Sequence, residues 1–147
     1  EAFSAPPPSG MEAVAADRRA LRFLVRNAMF RRVQLMALED SQTLGEMDGS
    51  YGYGVHEWDA ALDGFFDAHD DILTDTDARS AEFFILDDSQ EAADHTWHVR
   101  QVVCDSDGDN DWAIDGIVDI VKTQDEGDAV FRQYRVGSAE QLRDVEP

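Results

Sequence analysis

One lysine, one cysteine and four prolines stand in a chain of 147 residues. Cys104 has no second cysteine to pair with, so a reducing, cytoplasmic setting is the natural expectation. Lys122 lies at a strand-like end, and no glycine-rich loop running into Lys-Ser or Lys-Thr occurs anywhere. An ATPase motor within this chain is therefore not expected. A Gly-x-Ser-x-Gly elbow and a His-Glu-x-x-His helix are also missing. No apolar run reaches membrane-spanning length, and no basic stretch followed by an apolar one marks a secretory leader. Basic residues are few, 12 against 32 acidic ones, for a formal charge of −20. Such a surface repels phosphate backbones, which argues against nucleic-acid binding by the surface as a whole.

What is present should fold. Hydrophobic residues make up 43% of the chain, and its length suits one domain with a core of its own. The first residue is Glu1, which reads as a piece of a longer chain or a processed product. Residues 1–10 (EAFSAPPPSG) read as a linker, since Pro6, Pro7 and Pro8 favour extended polyproline geometry. A single α+β domain is expected over 11–137, with a polar tail over 138–147.

Residues 11–39 contain no proline and no glycine, and predict a long helix. Leu21, Leu24, Ala28 and Leu35 share one face, Arg18, Arg22 and Arg26 recur on another, and Phe23 and Phe30 lie on a third. Four glycines between 45 and 54 predict a long loop over 40–55. Helical spacing returns over 55–70, where Trp58, Ala61, Leu62, Phe65 and Phe66 form an apolar face, and an acidic connection follows over 71–80. The second half alternates instead. Strands are predicted over 81–86, 96–104, 111–121 and 128–136, separated by the turns DSDGDN and QDEG, with Gly116 marking a bulge or bend. Short turns between consecutive strands imply an antiparallel meander. A long helix and a second helix packed on a curved antiparallel sheet of three to four strands make an α+β fold. This order resembles the cone-shaped fold of the nuclear-transport-factor or SnoaL type, a likeness of fold that assigns no function.

Charge is segregated. Residues 17–32 carry six arginines and one aspartate, a local +5 that leaves −25 for the remainder. Arg18, Arg22, Arg26, Arg31 and Arg32 are the candidate edge for docking or for phosphate. Three readings rank in order: pairing with acids inside the domain, docking on another domain or chain, and contact with nucleic-acid phosphates. Asp105, Asp107, Asp109 and Asp111 recur at every second position and invite a calcium reading. The EF-hand pattern fails, because Asn110 stands where it needs glycine and Gly116 where it needs glutamate. A solvated acidic turn is the preferred reading, and no metal or cofactor is expected. His56, His69, Trp97 and Trp112 are candidates for a ligand pocket with acid–base groups. Three of the four have a plainer role: His69 ends a helix, where an imidazolium suits the dipole, and the tryptophans fall on apolar phases.

Several separated blocks then follow one another in a familiar order: VRNAMFRRV (25–33), LGEMDG (44–49), FFDAHDDI (65–72), TDARS (76–80), TWHVRQVV (96–103), DNDWAIDGIVDI (109–120) and DEGDAVFR (125–132). They resemble the uncharacterised C-terminal domain of actinobacterial DEAD/DEAH-box superfamily II helicases, over about residues 18–137. The resemblance implies a helicase polypeptide as context, with the ATP-binding and helicase motifs in upstream domains. It implies no catalytic residue in this chain. The function expected on this basis is a non-catalytic regulatory or docking domain. Its expected partners are the helicase core domains, with RNA met only through the parent protein, and no membrane. The alternatives are a small cone-fold binding domain or enzyme, and a nucleic-acid-binding module built on the arginine-rich helix.

Overall fold

The glycine- and proline-free stretch does form a helix, α1, spanning Gly10–Ala37 in a computed structural model that describes residues 10–144, with side chains described over 17–143. The proline-rich stretch read as a linker lies outside the described residues, apart from Gly10. The buried stripe of α1 runs through Leu21, Val25, Met29, Phe30, Val33 and Met36. Leu24 and Ala28, expected on the core face, are only partly buried at its margin. Phe30 is buried while Phe23 is 66% exposed, so the two phenylalanines read as one side part company.

Residues 40–55 are not the long loop expected. They form α2 (Ser41–Asp48) and a 3-10 turn over Gly49–Tyr51. The cause is local. Glu39 takes a left-handed φ of 55°, which ends α1, and Asp40 caps the new helix by accepting hydrogen bonds from Thr43 N (3.1 Å) and Thr43 Oγ1 (2.8 Å). Helix α3 (Val55–Ala68) follows, with Glu57 Oε1 accepting from Gly54 N and Trp58, Ala61, Leu62 and Phe65 turned inward.

The strands form an open antiparallel meander in the order β1-β2-β3-β4, so the fold is α+β as expected. β1 is short (Phe84–Asp87), because Ala81–Phe83 is a 3-10 turn. A single-turn helix, α4 (Glu91–Asp94), precedes β2 (Thr96–Val103). β3 spans Trp112–Asp119, and β4 spans Phe131–Ser138. Between them lies a helix, α5 (Ile120–Glu126), where only a turn was expected; Asp119 caps it by accepting from Lys122 N. Residues 139–144 of the expected polar tail form α6, which buries Leu142, and residues 145–147 lie outside the described residues.

Pairing of β2 with β3 sets Trp97 opposite Val118, Val99 opposite Gly116, Gln101 opposite Ile114 and Val103 opposite Trp112. These residues share the face that α1 and α3 cover, and the apolar side chains among them form one core with the buried residues of the helices. A Cβ on Gly116 would stand 2.9 Å from the Phe131 ring, so this glycine makes room for a core aromatic. The register shift itself comes one residue later, at Ile117/Val118. On the opposite face Asp115 is buried by an imidazole and two guanidinium groups: His98 Nε2 and Arg100 Nε at 2.9 Å, and the Arg135 guanidinium at 3.3 Å. Among the described residues no helix is long and apolar enough to cross a membrane.

Candidate functional site

With its apolar stripe against the sheet, α1 carries its arginines along the sheet's β1 margin. Arg18 Nε lies 2.6 Å from Glu91 Oε2, and Glu91 also accepts from Trp97 Nε1 at 2.7 Å. Burial alone would raise the Glu91 carboxyl; the bonds from Trp97 and Arg18 outweigh it and hold the group below its ordinary value. Arg22 makes a 3.4 Å contact with Asp88, both side chains about half exposed, and its guanidinium lies 5.9 Å from the Trp97 ring centre. An exposed pair of that geometry contributes little and yields readily to another anion. Arg26 donates to the Arg79 carbonyl oxygen at 2.7 Å and has no ion pair among the described residues.

Arg31 and Arg32, placed on the same edge by sequence, go elsewhere. Arg31 is exposed and has no ion pair among the described residues. Arg32 is 4% exposed and belongs to the core, where it binds Asp48. A shorter edge remains, and it gains residues that sequence reasoning passed over. Arg19, Arg22, Phe23 and Arg26 of α1 face Ala81, Phe84, Leu86 and Asp88 across a groove of about 520 Å³. An adjoining hollow of about 570 Å³ shares Phe23 and Arg26, and adds Asn27, Thr74, Asp75, Thr76, Arg79 and Ser80. Arg19 and Phe23, four apart, fall on the same helical stripe as Arg22 and Arg26, a signal available in the sequence. Arg79 and Phe84 carried no such signal, because only the fold brings them across from α1.

The ligand-pocket candidates do not converge. His56 and His69 sit at opposite ends of α3, thirteen residues apart, or about 20 Å along a helix. Trp97 is fully buried beneath α1, with its N–H spent on Glu91. Trp112 packs edge-on against Phe65 and lines a separate hollow with Gly64, Glu57 and Arg135.

His69 instead pins the acidic turn. Its Nε2 lies 2.9 Å from Asp111 Oδ1, and its Nδ1 lies 3.3 Å from Asp107 Oδ2 and 3.6 Å from Asp105 Oδ1. Asp105 in turn accepts the backbone N–H groups of Asp107, Asp109 and Asn110 at 2.9, 3.1 and 2.8 Å. His69, Asp105, Asp107 and Asp109 each offer a ligand atom within 4.8 Å of the others. The Asp105 carboxylate is already engaged by three backbone donors, however, so the turn folds around a side chain of its own. Burial alone would lower His69, but its bonds to Asp111 and Asp107 and the charge of Asp105 raise it above its ordinary 6.5. Burial would raise Asp105, but the Asn110 and Asp109 amides and His69 lower it. The stabilisation from His69 is therefore whole below its unfolded pKa and is lost as pH rises through the folded value. That from Asp105 is whole above its unfolded pKa and is lost as pH falls through the folded value. Melting temperatures taken between about pH 6 and about pH 9 should fall toward the alkaline end, and His69→Gln should flatten that fall. An unchanged slope in the variant would show that another group titrates.

Fold and site together define an α+β domain with an open four-stranded antiparallel sheet and an arginine-lined groove along its first helix. The chain belongs to the family described as Domain of unknown function (DUF3516), whose model matches residues 2–136. No curated protein matches it, and no solved structure does.

Proposed function

We propose that this is a non-catalytic docking domain, an accessory C-terminal module of a superfamily II DEAD/DEAH-box helicase polypeptide, engaging its partner through the α1 groove. One observation carries the docking reading. In a chain of net charge −20, four arginines and an exposed phenylalanine gather along the groove and its adjoining hollow against two aspartates. Concentrated charge of the minority sign beside exposed apolar surface is what an interaction site needs and a solvated face does not. The helicase context rests on the sequence blocks that resemble such C-terminal domains. The parent's helicase core is the first partner to consider, in a cytoplasmic setting. The acid–base reading has less support, since its four candidate residues share no cavity.

The test compares ATP hydrolysis and duplex unwinding by the parent polypeptide with and without this domain. Altered rates or altered substrate preference on deletion are expected. Unchanged rates, substrate preference and partner binding would remove the docking reading.

A further inference from the structure

We infer that the α1 groove receives an acidic peptide segment bearing a large apolar side chain, an inference that rests on the docking reading above and names the chemistry of its partner. The groove has two kinds of surface. Its floor and one wall are apolar, made by the partly buried Phe84 and Leu86 and by Phe23, which is 66% exposed. Its rims are cationic: Arg19 and Arg22 on one side of Phe23, and Arg26 and Arg79 on the other. A volume of about 520 Å³ falls within the range of sites that enclose a side chain or small ligand.

The arginines are available to a ligand. Arg19 has no ion pair among the described residues, Arg26 is held by a neutral carbonyl, and the Arg22–Asp88 contact is long and exposed. A carboxylate could take Arg22 from Asp88 at little cost, and guanidinium groups recognise carboxylates in bidentate geometry.

Charge decides between an acidic peptide and a nucleic acid. Four arginines against two aspartates leave an excess of two positive charges across the groove and hollow. The surrounding surface is strongly negative, and charges beyond about 8 Å are screened at physiological salt. Two excess charges suit a segment with two or three carboxylates. They are too few to drive phosphodiester binding by counterion release, which draws on many contacts. The apolar floor likewise rewards a leucine or aromatic side chain over a sugar–phosphate chain.

The test uses the 147-residue chain and a random dodecamer peptide library displayed on phage. Selection on the wild-type chain is depleted against Phe23→Ala and, separately, against Arg19→Glu/Arg26→Glu. Enriched sequences should combine Asp or Glu with Leu, Ile, Phe or Trp. A synthetic peptide of the enriched sequence should then bind about tenfold or more weaker to either variant, a loss of about 1.4 kcal/mol or more. Thermal melts should show both variants folded. The inference fails if enriched peptides lack acids, lack an apolar anchor, or ignore both variants. It also fails if single-stranded oligouridylate binds more tightly than any selected peptide and is lost in the same variants, which marks a nucleic-acid site. Concentration-dependent self-association abolished by Phe23→Ala would overturn it in favour of a second copy of the chain. Docking is judged separately: if no peptide is selected but Phe23→Ala still alters unwinding by the parent polypeptide, docking stands and the acidic-peptide chemistry falls.

Discussion

Arg32→Ala should lower the free energy of unfolding by about 3–5 kcal/mol, the range for breaking a buried ion pair from one side. Arg32 Nε lies 3.1 and 3.2 Å from the two Asp48 oxygens, its second guanidinium nitrogen lies 2.7 Å from Asp48 Oδ1, and the third donates to the Ala28 carbonyl at 2.8 Å. Its guanidinium also lies 5.3 Å from the Phe131 ring centre and 5.8 Å from that of Tyr134. Asp48 is fully buried and accepts a further bond from Trp58 Nε1 at 3.2 Å. Removing the arginine leaves a buried carboxylate that keeps the Trp58 N–H but has lost its counter-charge. The size of the loss comes from that stranded charge more than from the pair's own strength. Asp48→Ala should cost a similar amount for the mirror reason. Arg32→Met combined with Asp48→Leu should cost much less than either single change, because no charge is then stranded. Denaturant melts of the three variants check this. A loss below about 1 kcal/mol for Arg32→Ala, the level of an exposed pair, would show that water reaches the site.

This same pair shows what could be read in the sequence and what could not. Val25, Met29, Arg32 and Met36 follow one another at steps of four, three and four, so Arg32 falls on the buried stripe of α1. Among six arginines in sixteen residues it looked like part of a basic edge. A buried arginine needs a carboxylate, and Asp48 lay in a segment whose glycines read as a loop. Missing α2 therefore hid the partner, and the missing partner left Arg32 on the surface. The strands were easier: β2 buries one face and leaves the other partly exposed, which produces alternation, although β3 is buried at nearly every residue. The acidic turn was legible as a turn, since Asp and Asn fill such positions. Its closure by His69 was not, because that contact spans residues 69 and 111 and depends on where α3 ends. The groove was half legible: its α1 wall follows from helical spacing, whereas Arg79, Phe84 and Leu86 reach it through the placement of β1 beside α1.

Gly45→Ala should destabilise the domain by about 3 kcal/mol, at the upper end for overpacking a close contact, although it puts the best helix-forming residue into a helix. Gly45 lies within α2, and an added Cβ would stand 2.5 Å from both Val55 N and Val55 Cγ2 and 2.8 Å from Val55 Cα. Two of those three atoms are backbone, so a rotamer change cannot relieve the clash, and α2 must move away from the start of α3. That movement disturbs the span that sets Asp48 against Arg32 and Trp58. Helix propensity acts the other way by about 1 kcal/mol, which makes the sign of the effect informative. Gly49 supplies the control. It sits at the end of the same helix with an ordinary helical φ of −57°, and a Cβ there meets nothing within 4 Å. Gly49→Ala should therefore be neutral, or stabilising by up to about 1 kcal/mol through loss of unfolded-state freedom. Paired denaturant melts of the two variants separate the terms, because propensity favours alanine in both and only one carries the clash. If Gly45→Ala proved as stable as Gly49→Ala, the close approach of α2 to Val55 would be wrong, and the glycine would mark the pliant connection that the sequence first suggests.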